Sequence, residues 1–144
     1  MAADSDPPTF VVAFTEWVEA CWFNERDTTA RRLDAVLRFP PDVVLAGSLS
    51  LLARLLEAFA PAGRAEVAGA LALHLIITGP DPQREALIRD VVLGAGSTPA
   101  ARAALLARHG GEGVTAAALE CASFLSQAVA DRQGVLPSSI IQDL

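Results

Sequence analysis

The side chains best suited to nucleophilic or metal chemistry are few: His74 and His109, Cys21 and Cys121, and the 17 Asp and Glu residues. A di-metal carboxylate bundle needs Glu-x-x-His, because an i,i+3 spacing projects both ligands from one side of a helix. The positions three before the histidines hold Leu71 and Leu106, so that motif is absent. There is no HExxH, and the two cysteines lie far apart, outside any CxxC spacing, which argues against zinc chemistry and a disulfide framework. Phosphate-cradling loops fail too. Gly94-Ala95-Gly96 runs into Pro99 where a third glycine is required, and no Gly-Lys-Ser/Thr exists in a chain whose 11 bases are all arginine. Gly47-Ser48 lacks the flanking glycine of a nucleophile elbow. The expectation is no enzyme, no cofactor and no metal, unless distant residues assemble an unusual site.

Three weaker constellations remain. Cys121 beside a histidine would make a thiolate pair, but a lone cysteine on an apolar helix face reads as a small core residue, as does Cys21. His109, at a helix end, is placed to meet unsatisfied carbonyls. His74 lies on a thin polar line and, if its helix faces its neighbour, comes near Arg54 and Glu57. Arg54, Glu57 and His74 are therefore the candidate ligand pocket, able to fix the polar end of a small apolar molecule. The acidic run Glu16, Glu19, Glu25 and Asp27 reads as a solvated face. Arg31, Arg32 and Arg38 could receive a carboxylate or phosphate, but Asp34 lies within reach of Arg31 and Arg38 on the same helix, so self-neutralisation is the simpler reading.

The apolar residues are more informative. Hydrophobic types make up 52% of 144 residues and charged types 19%, which excludes disorder and fits a single domain with one core. Five of the eight aromatics, Phe10, Phe14, Trp17, Trp22 and Phe23, crowd one segment and span more of a helix circumference than one buried stripe requires. Some are expected to face outward, with Val12 and Phe23 beside Glu16 and Glu19 as an apolar patch rimmed by carboxylates. The C-terminal Ile140, Ile141 and Leu144 should dock on their own domain or on a neighbour. These eight residues, five aromatic and three aliphatic, are the candidate interface.

Net charge is -6 with no lysine, which disfavours nucleic acid and anionic membrane surfaces as partners. The lack of Lys and Tyr beside abundant Ala, Gly, Pro and Arg suggests a GC-rich bacterial genome. The start of the chain does not read as a signal peptide. The most apolar windows, 43–53 and 67–77, are shorter than a bilayer crossing, so no membrane span is expected and the cytoplasm is the default location.

Punctuation and periodicity place these residues on about seven helices and no strand. Thr9 caps a first helix running to about Asn24, and Asn24 or Asp27 caps a second that buries Leu33, Val36 and Leu37 and ends at Phe39-Pro40-Pro41. A third covers about 42–60 and a fourth follows Pro61-Ala62-Gly63 to about Thr78; both are so apolar that they should form the centre. Gly79-Pro80 ends the fourth. Asp81-Pro82 opens a fifth and Thr98-Pro99 a sixth to about His109. Gly110-Gly111 then breaks the chain and Thr115 caps a seventh to about Gln133, with one further turn near Ser138 or Ser139.

The expected fold is all-α, a single compact multi-helix bundle of six or seven helices. A short solenoid of stacked helical hairpins is the alternative. Residues 1–8 read as a disordered or extended segment, 9–133 as the helical domain and 134–144 as the apolar tail. The functional expectation is a non-enzymatic helical protein–protein interaction module, an adaptor, regulatory or assembly protein that binds a protein partner and itself as a homo-oligomer. The alternative is a small-molecule sensor or carrier with an apolar pocket between the third, fourth and seventh helices.

Overall fold

The first helix, α1 (Phe10–Trp22), starts where the sequence says it should. The Thr9 hydroxyl accepts the amide of Val12 at 3.2 Å, satisfying one of the donors a helix start leaves free. The same device opens α5 (Pro82–Gly94), capped by Asp81 on the Arg84 amide, and α6 (Pro99–His109), capped by Thr98 on the Ala101 amide. Each of these two caps is followed by a proline in the first turn, where its missing N–H costs nothing. The remaining elements are α2 (Arg26–Leu37), α3 (Pro41–Phe59), α4 (Arg64–Leu75), α7 (Gly111–Gln133) and α8 (Pro137–Gln142). This computed structural model describes residues 9–59, 63–75, 81–96 and 98–144, with 74 and 75 by backbone alone. Among them every regular element is helical and there is no strand. The expectations for 1–8, Thr78 and the turns at 60–62 and 79–80 lie outside the described residues.

Three boundaries differ from the sequence reading. Asn24 does not cap α2; it adopts φ 56°, the left-handed conformation that asparagine tolerates best among residues with a side chain, and so folds α2 back against α1. Nor does Asp27, which lies inside the first turn after the N-cap Glu25. Thr115 does not cap α7 either. Gly110 makes the whole turn at φ 82°, α7 begins immediately at Gly111, and the Thr115 hydroxyl donates back to the Gly111 carbonyl at 2.8 Å inside the helix. At the other end Gly134, at φ 69°, closes α7, and the amide of Val135 reaches the Ala130 carbonyl at 3.0 Å. That turn throws Pro137 into position to start α8, making an eighth helix among the described residues where one loose turn was expected.

The helices form a compact bundle. α3 and α7 pack against each other along their length and make the centre, while α4 packs chiefly on α5. α1 lies against α2, and α8 folds back onto both α1 and α7. Packing of α3 on α7 and of α1 on α8, elements far apart in sequence, excludes the solenoid, in which each repeat touches only its neighbours. α7 is long and apolar enough, by length and composition, to cross a membrane, yet 61% of that stretch is enclosed by the other helices, as befits a core helix. Its buried Ser123 and Ser126 are satisfied locally: Ser126 donates to the Ala122 carbonyl and Ser123 accepts from Gln127.

Candidate functional site

Most of the first-helix aromatics are turned inward. Phe14 is fully buried, Phe10 and Trp17 nearly so, because α1 is covered by α2, α3, α7 and α8 and therefore hides a much broader face than one stripe. The rings also hold each other: Phe10 stacks on Phe14 with centroids 6.1 Å apart and meets Phe39 edge-on at 5.9 Å, and Phe14 meets Trp17 edge-on at 5.7 Å. Trp22 is half-buried against the same core, and of the five only Phe23 is exposed, on the side of α1 that also shows Val12 and Glu16. Ile140 and Ile141 are buried and Leu144 half-buried, so the tail covers its own domain. The expected interface is corrected accordingly: Phe10, Phe14, Trp17, Ile140 and Ile141 are core, Trp22 and Leu144 are half-buried, and Phe23 alone of the eight is exposed.

Two of the three residues of the second expected cluster are placed. Arg54 and Glu57 are exposed and line a small cleft of about 340 Å³ between α3, α5 and α6, with Ser50, Gly94, Gly96 and Arg102, rather than a pocket against α4 and α7. The cause is packing order, since α3 turns its apolar face to α7 and leaves this polar stripe outside. The side chain of His74 lies outside the described residues.

A different concavity stands out. A groove of about 790 Å³ opens where the ends of α2, α3 and α7 meet the middle of α1. Trp17 comes from α1, Leu33 and Leu37 from α2, and Phe39 from the link that follows. α3 contributes Pro41, Asp42, Val44 and Leu45, and α7 contributes Gly111, Glu112, Thr115, Ala116, Leu119 and Glu120. Trp17, Val44 and Leu119 are buried and form the floor. Leu37 stands 53% exposed at the lip, correcting the expectation that it faces inward with Val36. The local reason is the double proline: Pro40-Pro41 ends α2 and restarts the chain as α3, so Phe39 and Leu45 are set on either side of a corner that no helix fills.

The polar groups of this groove are carboxylates. Asp42 and Glu112 sit in the first turns of α3 and α7, where the helix N-termini favour negative charge. Glu120 is joined by Arg84 of α5, and among the described residues no basic side chain lines the groove. Elsewhere Arg32 reaches from α2 to Glu16 of α1 at 2.5 Å, and Arg31 donates to Thr28 at 3.3 Å rather than to the expected Asp34.

His109 does not cap its helix through its ring. The Gly110 amide bonds the Leu106 carbonyl, while the imidazole lies 2.7 Å from Asp90 of α5, which Arg108 also approaches at 3.0 Å. These contacts, His109 first, hold the Asp90 carboxyl below its ordinary value. Cys121 is buried, and desolvation with the nearby Glu120 pushes its thiol up to about 12. Cys21, half-buried and touching Ser123, is raised by burial too. A raised thiol is the opposite of what a nucleophile needs. Among the described residues no group of three or more His, Cys, Asp or Glu converges in a way that could hold a metal ion.

Comparison with models of protein families, with curated proteins and with solved structures finds no match.

Proposed function

We propose that this protein is a helical protein–protein interaction module that seats a short amphipathic helix of a partner in the groove between α1, α2, α3 and α7. The observation that carries the reading is the groove itself, with its apolar floor, exposed leucine lip and polar ends supplied by four different helices. A helix about 10 Å across fills some 790 Å³ in roughly two turns, which is the length over which i, i+3, i+4 and i+7 anchors repeat. Each leucine-sized anchor taken from water contributes about 1.5–3 kcal/mol before the costs of association. The reading is tested by Trp17 emission in a Trp22→Phe variant, with Ala116→Phe as a groove-filling control at an exposed position. An amphipathic leucine peptide should change the emission saturably, and Ala116→Phe should abolish the change without lowering thermal stability. No saturable change, or a change indifferent to Ala116→Phe, overturns the reading.

The second reading, a carrier of an apolar small molecule, is favoured by one observation: the groove volume also falls within the range of drug-sized ligand pockets. Native mass spectrometry of protein purified from its source separates the two, since a carrier retains a small bound mass.

A further inference from the structure

The charge of the groove says which helix it would take. Three carboxylates, Asp42, Glu112 and Glu120, stand among the lining side chains, and among the described residues no arginine does. Arg84 answers Glu120, which leaves Asp42 and Glu112, both exposed in the lining, with no lining base beside them among the described residues. An occupant whose apolar face enters the groove must bring its flanks past these two acids, and the chain as a whole carries -6. An acidic flank is repelled at close range and during approach, and a basic flank is drawn in on both counts. Resting on the interaction reading above, we infer that the partner segment is a basic amphipathic helix, with arginine or lysine flanking its apolar anchors. The chain's own first eight residues do not fit that description, for they hold Asp4 and Asp6 and no arginine.

The experiment uses two peptides of about four helical turns with leucine at i, i+3, i+4 and i+7 and either arginine or glutamate at the flanks. Both are titrated into the full chain carrying Trp22→Phe, at low and at high salt. The arginine peptide should bind about tenfold more tightly at low salt, the ratio should shrink toward unity at about 1 M salt, and Asp42→Asn with Glu112→Gln should shrink it at low salt as well. Thermal unfolding of that double variant checks that the fold survives the loss of two first-turn acids. Equal binding of both peptides overturns the charge inference and leaves the groove reading standing. Binding of neither overturns the groove reading. A long-chain alkylammonium that binds where neither peptide does assigns the groove to a small cationic amphiphile and overturns the helix. A dimer that dissolves in Ala116→Phe assigns it to a second copy and overturns the basic partner.

Discussion

Gly47→Ala probes the join between α1 and the groove. At Gly47 the backbone of α3 is pressed by the Phe10 ring so closely that a β-carbon would stand 2.5 Å from Cδ2 and 2.7 Å from Cε2. Ordinary carbon contact needs about 3.5–4 Å, so the ring must retreat by roughly 1 Å. It has little room, being stacked on Phe14 and set edge-on against Phe39. Overpacking costs about 1–3 kcal/mol, about 2–3 for a ring held on two sides as this one is, and exchanging glycine for alanine in a helix returns about 1 kcal/mol. The expected net loss is about 1–2 kcal/mol, or roughly 3–8 °C in Tm for a chain of this size. The displaced ring pushes on Phe39, which lines the groove, so peptide affinity should fall along with stability. Urea or thermal unfolding followed by circular dichroism would measure Gly47→Ala, Phe10→Leu and the pair. In the double variant the smaller side chain makes room, and it should be more stable than the sum of the singles by about 1 kcal/mol. If Gly47→Ala is as stable as the parent or more so, the ring does not lie on the glycine and the reasoning fails.

Further outcomes follow from other parts of the molecule. Ile141→Ala, which empties a buried site under α8, should cost about 2–4 kcal/mol; a loss under about 0.5 kcal/mol would mean the tail is not docked as described. Asp90 has its carboxyl held low by His109 and Arg108, so its contribution is present above the ordinary carboxylate value of 3.8 and is lost as pH falls through the lowered value. The stability gap between the parent and Asp90→Asn should therefore be full near neutrality and close in acid, and a gap that widens in acid would contradict the contacts. With its thiol pushed up to about 12, Cys121 should resist iodoacetamide in the folded protein at about pH 8 and react only after denaturation, whereas Cys21 should react slowly; rapid native labelling of Cys121 would contradict its burial.

Local chemistry was the most readable part of this sequence. Thr9, Asp81 and Thr98 act as caps because each places a side-chain oxygen three residues before a free amide, a relation that needs nothing from the rest of the chain. The pairing of Glu85 with Arg89 at 3.1 Å is equally local. Thr115 misled because Gly110 alone makes the turn, so a threonine five residues later has only its own helix to bond. The aromatic cluster misled for a tertiary reason: how broad a face of α1 is buried depends on how many helices surround it, and α8, which supplies one side, closes over it from the other end of the chain. The groove was hidden for the same reason. Phe39, Leu45 and Leu119 each look like ordinary core residues in sequence, and only the corner at Pro40-Pro41 brings them to the edge of a space left unfilled. The one available hint was Phe39, a large apolar residue stranded beside two prolines.

The central claim is that a partner helix enters this groove and no other face. Amide nuclear magnetic resonance of the labelled chain, titrated with the arginine-flanked peptide, tests it most directly. Shifts confined to residues around 33–45 and 111–120 and to the Trp17 indole are the predicted result. Shifts centred on the exposed Val11, Val12 and Phe23 side of α1, with the groove residues unmoved, would contradict it.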